Sequence, residues 1–76
     1  MDNNIKEVKR PANEGEYIKI VDRDSIETDY ENGDIFKVVK RDKDDVYINM
    51  LRKETGKNIF VLYEEYVVLE GYDEKK

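Results

Sequence analysis

Five short runs rich in β-branched and aromatic residues, separated by turn residues, constrain the fold more than any other feature of this sequence. Such runs are typical of β-strands, and they lie at residues 17–21, 35–40, 46–51, 59–63 and 67–69. Polar turns separate the middle three runs, and Asn32-Gly33 precedes the second. The pattern predicts an all-β fold with almost no helix.

The connections between these predicted strands are uneven in length. The first connection spans residues 22–34, the next two are tight turns, and residues 63–66 suit a single 3-10 turn before the last strand. Five strands are too few for a two-sheet sandwich of ordinary size, but bent strands can form a small barrel. We therefore expect a five-stranded SH3-like barrel over residues 16–70, a flexible arm over 1–15 and a frayed tail over 71–76.

Three segments carry a resemblance to a known group of proteins. Residues 15–20 (GEYIKI), 30–36 (YENGDIF) and 64–70 (EEYVVLE) resemble short SH3-like proteins of Gram-positive phages and prophages, most of which have no assigned function. The order and spacing of the predicted elements resemble those proteins over residues 9–70. The resemblance implies no catalytic residues in this chain. It implies a phage or prophage protein that works in a bacterial host.

The composition removes most of the usual catalytic chemistry. The chain has no His, Cys or Trp, so it has no imidazole base, no thiol nucleophile and no thiolate zinc site. The EF-hand calcium template also fails, because Ile26 and Glu27 stand where a loop beginning at Asp22 needs an oxygen ligand and a glycine. We expect a protein that is not an enzyme, with no catalytic residues, no metal site and no cofactor.

Hydropathy and the first residues bear on location. No apolar run approaches the roughly 20 residues that span a bilayer, and the acidic, polar start, Met1 to Asn4, does not resemble a signal peptide. The absence of Cys suits a reducing compartment. We expect a cytoplasmic protein without membrane contact.

Negative charge is concentrated in the first long connection. Residues 22–34, here called the acidic loop, contain six acidic residues and one basic residue, while the whole chain has a net charge of -5. One interpretation is a solvated loop whose carboxylates support turns and caps. Another is a surface that attracts a basic host protein. The candidate partner-binding residues there are Asp22, Asp24, Glu27, Asp29 and Glu31.

A second candidate surface comes from an excess of apolar residues. The fourth predicted strand is apolar at every position from Ile59 to Tyr63, so alternation cannot bury all of it. We expect the remainder to form an exposed stripe that contacts a partner or a second copy in a homodimer. Tyr66 is also placed like the wall of a proline-peptide groove, although the groove tryptophan and the turn proline are missing. This aromatic stripe consists of Tyr47, Val61, Tyr63 and Tyr66.

These features favour a small, non-catalytic protein-binding module that acts by stoichiometric contact with another protein. One alternative is an acidic decoy that mimics nucleic acid and inhibits a host defence or nucleic-acid-binding protein. A second is direct nucleic-acid binding through the basic hairpins, since residues 37–57 contain seven basic and four acidic residues. The net negative charge and the interleaved acidic residues argue against that second alternative.

Overall fold

The computed structural model describes residues 5–72, and their regular backbone is almost entirely β-strand, as predicted. The helical part is one 3-10 turn at Tyr63–Glu65, within the interval of residues 63–66 that the sequence pattern predicts for it. The strands within this range are β1 (Lys6–Val8), β2 (Tyr17–Ile20), β3 (Ile35–Asp42), β4 (Asp45–Leu51), β5 (Asn58–Val61) and β6 (Tyr66–Glu70).

The strands form a single antiparallel sheet in the order β1-β6-β2-β3-β4-β5. The first part of β3 pairs with β2 and the second part with β4, so this strand belongs to both halves of the sheet. Within residues 5–72, no pairing joins the edge strands β1 and β5. The sheet therefore has six strands and is open, whereas the sequence pattern predicted five strands closed into a barrel.

The sixth strand comes from the segment predicted to be a flexible arm. Residues Lys6, Glu7 and Val8 pair with Glu70, Leu69 and Val68 of β6. This strand has only one apolar residue, so it lacks the alternation by which sequence analysis finds strands. Residues 73–76 of the predicted C-terminal tail lie outside the described residues.

The core lies on the inner face of both halves of the sheet. Val46 and Ile48 of β4 are fully buried and Met50 packs partly against them, which confirms the predicted inner set of this strand. A register shift between Val38 and Lys40 marks a bulge that leaves Val39 exposed. The largest fully buried side chains are Ile18, Ile20, Val38, Val46, Ile48, Ile59, Val61, Tyr66 and Val68.

The β3–β4 hairpin is the shortest connection in the fold. Asp42 pairs with Asp45 across a two-residue turn, in which Lys43 adopts a left-handed conformation with φ of 60°. The predicted antiparallel pairing around Asp44 is confirmed. Within residues 5–72, the structure contains no helix long and apolar enough to cross a membrane.

Candidate partner-binding surfaces

The acidic loop is attached to the sheet by the buried carboxylate of Glu65. Glu65 is the third residue of the 3-10 turn and is only 3% exposed. Its Oε1 accepts hydrogen bonds from the Tyr30 hydroxyl (2.6 Å) and the Asp24 N–H (3.1 Å). Its Oε2 accepts one from the Leu62 N–H (2.9 Å), which caps the turn. One carboxylate therefore joins residues from both halves of the loop to the turn before β6.

The main chain and the Tyr30 ring strengthen this attachment. The carbonyl oxygen of Glu65 accepts hydrogen bonds from the N–H groups of Val21 (2.8 Å) and Asp22 (3.1 Å). Burial, and then the hydrogen bond to Glu65, raises the pKa of the Tyr30 hydroxyl well above its ordinary value. The Tyr30 ring packs edge-on against Phe36, with centroids 6.0 Å apart. Tyr30 thus stays a neutral donor inside the core.

Arg52 holds the far side of the acidic loop. It follows β4 directly, and its guanidinium contacts both Glu27 (3.0 Å) and Asp29 (3.0 Å). The hydrogen bond from Arg52 lowers the pKa of the Glu27 carboxyl, although partial burial opposes the shift. Two of the five candidate residues of the loop therefore already have a cationic partner within the chain.

We expect replacement of Arg52 by Met to lower the free energy of unfolding by about 1 kcal/mol near pH 7, as for a partly buried charged pair. The folded-state pKa of Glu27 is depressed, so its stabilisation is present above its unfolded pKa, about 4.3. It is lost as the pH falls through the folded pKa. Urea unfolding at about pH 7 and at about pH 3 measures the free energy of unfolding of the variant and of the wild type. The difference between these two free energies should be smaller at the lower pH.

The neighbouring exposed Lys53 provides the matched control, because the structure gives it no ion pair within residues 5–72. Lys53→Met should change stability by less than about 0.5 kcal/mol at either pH. An Arg52→Met effect that is equally large at both pH values would contradict an ionic role for this pair.

The remaining candidate residues of the loop lie at the surface. Asp22, Asp24 and Glu31 are exposed, although Asp24 Oδ1 also accepts a hydrogen bond from the Ile26 N–H (3.1 Å). Between them stands Ile26, which is 85% exposed and is the most exposed large hydrophobic residue described. Sequence analysis did not identify Ile26 as a candidate contact residue. The feature of the sequence that could have identified Ile26 as a contact residue is its position as a large aliphatic residue in an otherwise polar part of the loop.

The aromatic stripe is not one surface. Val61 and Tyr66 are completely buried, so they are core residues and cannot contact a partner. The Tyr66 hydroxyl accepts a hydrogen bond from the Ala12 N–H (3.1 Å) and donates one to the Asp44 carbonyl (2.7 Å). Tyr66 is therefore not the wall of a proline-binding groove, because its ring is buried and its hydroxyl is hydrogen-bonded to the N-terminal segment.

The other two members of the stripe are separated from each other. Tyr63 is half-buried, and the ammonium of Lys9 lies 4.0 Å from its ring centroid. Lys9 also donates hydrogen bonds to the carbonyl oxygens of Tyr63 and Tyr66. Tyr47 lies on the outer face of β4, where it packs against Phe60 instead. The predicted stripe is thus divided among the core, the N-terminal segment and the outer face.

Within residues 5–72, no group of three or more acidic side chains is arranged to hold a metal ion. Comparison with protein-family models, with curated proteins and with solved structures finds no match to this chain. The resemblance to phage and prophage proteins therefore stays a prediction, and the surfaces themselves carry the functional argument.

Proposed function

We propose that this protein is a small, non-catalytic binding module of SH3-like fold, encoded by a phage or prophage and acting in the host cytoplasm. Three features support the fold assignment: the strand order β6-β2-β3-β4-β5, the sharing of β3 between two half-sheets, and the 3-10 turn before β6. On this view β1 is an addition to the edge of the SH3-like unit. The module acts by stoichiometric contact with another protein.

The observation that carries this proposal is a fixed loop with an exposed apolar tip. Glu65 and Arg52 hold the acidic loop at both sides, so little conformational entropy remains to be lost on binding. Ile26 stands out from this loop into solvent. A large apolar side chain on a rigid support, surrounded by polar groups, is a typical anchor of a protein interface.

The charges near Ile26 indicate the chemistry of the partner. Asp22, Asp24 and Glu31 are exposed, whereas Glu27 and Asp29 are paired with Arg52. A complementary surface would have an apolar socket for Ile26 and basic residues around it. The carboxylates would mainly increase the rate of association, and Ile26 would mainly slow dissociation. The pairing of two carboxylates with Arg52 reduces the charge available to a nucleic-acid mimic, so a protein with an apolar socket is favoured.

We expect Ile26→Ser to weaken binding to that partner at least tenfold, because removal of an interface anchor typically costs about 2 kcal/mol or more. The partner is first isolated from a bacterial host lysate on immobilised wild-type protein and then purified. Calorimetry gives its stoichiometry and dissociation constant with each variant. Ile5→Ser is the matched control, since Ile5 is 48% exposed and lies outside the acidic loop.

A second variant tests the charges separately. Replacing Asp22 and Asp24 by Asn and Glu31 by Gln should slow association and reduce its dependence on salt, while leaving dissociation nearly unchanged. If this variant and Ile26→Ser both bind like wild type, the acidic loop is only a connection between strands and the proposal fails.

A further inference from the structure

The outer face of β3, β4 and β5 carries an exposed pair of aromatic rings. Tyr47 and Phe60 are register partners on neighbouring strands, with ring centroids 4.9 Å apart and planes inclined by 54°. Phe60 is 36% exposed, and Tyr47 is half-buried beside it. Two large rings at the surface form a ready platform for another flat, apolar group.

Lysines accompany the ring pair. Lys40 is the register partner of Tyr47 on the other side, and it lines an open groove of about 310 Å³ together with Val39, Tyr47, Lys57 and Asn58. Lys40 and Lys57 are exposed, and within residues 5–72 neither takes part in an ion pair. The groove therefore combines apolar walls with two lysines that have no ion-pair partner among the described residues.

None of the five residues that line this groove is acidic, whereas Asp42 and Asp45 follow Lys40 and Tyr47 along the same outer face. The Glu27 and Asp29 carboxylates of the acidic loop are paired with Arg52, whose backbone N–H donates to the Lys57 carbonyl oxygen (2.8 Å). Asp45, nearer to the rings, accepts a hydrogen bond from the Tyr63 N–H (2.7 Å). The groove lining itself therefore contains two positive charges and no negative charge.

We propose that this face binds single-stranded nucleic acid, with a base against Tyr47 and Phe60 and neighbouring phosphates at Lys40 and Lys57. Aromatic stacking with a cationic track is how small β-folds hold single strands. The groove volume is at the lower end of the range for small-molecule pockets, which suits one base. The Asn58 amide N–H already donates to the Ile48 carbonyl (2.7 Å), so its oxygen remains to accept from a base.

The test uses a fluorescein-labelled oligodeoxythymidylate of about eight nucleotides, within the usual site size of such folds. Anisotropy titrations are run at low and raised salt, and NMR titrations follow the Tyr47 and Phe60 ring resonances. We expect saturable binding, ring shifts on the outer face, and a salt slope of about -1.4, which corresponds to two phosphate contacts.

Two variants separate charge from stacking. Lys40→Glu with Lys57→Glu should weaken binding more than tenfold, and Phe60→Leu, which keeps an apolar side chain, should weaken it about tenfold. The matched charge control is Lys6→Glu with Lys53→Glu, two exposed lysines off this face, for which we expect a change of about twofold or less. Thermal unfolding confirms that each variant is folded.

Several results would overturn this inference. The first is a lack of oligonucleotide binding at low salt, and the second is equally tight binding of polyglutamate or of duplex DNA. The third is a set of NMR shifts confined to residues on other faces. The fourth is the appearance of the same Tyr47 and Phe60 shifts when the protein alone is concentrated, which would make this face an interface between copies. The Ile26→Ser variant should bind the oligonucleotide like wild type. Loss of partner-protein binding and loss of oligonucleotide binding are therefore distinguishable.

Discussion

Replacement of Glu65 by Ala is expected to lower the free energy of unfolding by about 4 kcal/mol or more, which approaches the entire stability of a domain of this size. The variant removes the acceptor for three donors: the Tyr30 hydroxyl, the Asp24 N–H and the Leu62 N–H. The Tyr30 donor is buried and the other two are partly buried, and a buried donor left without a partner costs about 1–3 kcal/mol. Urea unfolding followed by far-ultraviolet circular dichroism measures the loss.

Glu64 gives the matched control for this prediction, because it is the adjacent glutamate of the same 3-10 turn but is exposed. Glu64→Ala should change stability by no more than about 0.5 kcal/mol. The loss of stability caused by Glu65→Gln should lie between the losses caused by Glu64→Ala and Glu65→Ala, since Gln keeps one side-chain oxygen as an acceptor. If Glu65→Ala were as stable as Glu64→Ala, the buried carboxylate would not be what holds the acidic loop.

Replacement of Ile48 by Ala is expected to cost about 2–5 kcal/mol, the range for truncating a well-packed aliphatic side chain. Ile48 is completely buried in the middle of β4, directly opposite the buried Val38 of β3. Removing three carbons there loses apolar burial and leaves a cavity between the two strands. Urea unfolding should show a lower midpoint with an unchanged slope.

Val39→Ala is the corresponding control, because Val39 lies on β3 next to Val38 yet is 42% exposed at the bulge. Its expected cost is below about 1 kcal/mol, since little buried surface is removed. Equal losses for Ile48→Ala and Val39→Ala would mean that β4 does not present its alternate residues to the core as described.

Much of the sheet follows from local sequence patterns. In β4 the polar Asn49 separates apolar neighbours, so alternation identifies Val46 and Ile48 as the inner residues. The 3-10 turn follows from the short polar interval before β6. By contrast, β1 has a single apolar residue, and Ala12 is buried only because the N-terminal segment packs under the Tyr66 hydroxyl. Such packing leaves no periodic signal in the sequence.

The candidate surfaces were harder to predict, for two physical reasons. Residues 59–63 are apolar at every position, so the sequence does not say which of Val61 and Phe60 faces solvent; the structure buries Val61. The charge of the acidic loop was evident, but its neutralising partner Arg52 is more than twenty residues away in sequence. Contacts of that kind depend on the complete fold.

The position of β6 in the sheet has a consequence for how the protein is made. β6 lies between β1 and β2, so pairs such as Lys6 with Glu70 join residues that are synthesised far apart in time. β1 has no sheet partner among the described strands until Glu70 has been added to the chain, whereas the two strands of the β3–β4 hairpin are neighbours in sequence. We expect the β3–β4 and β4–β5 hairpins to assemble first and the N-terminal strand β1 to pair last, in a slow, non-local step.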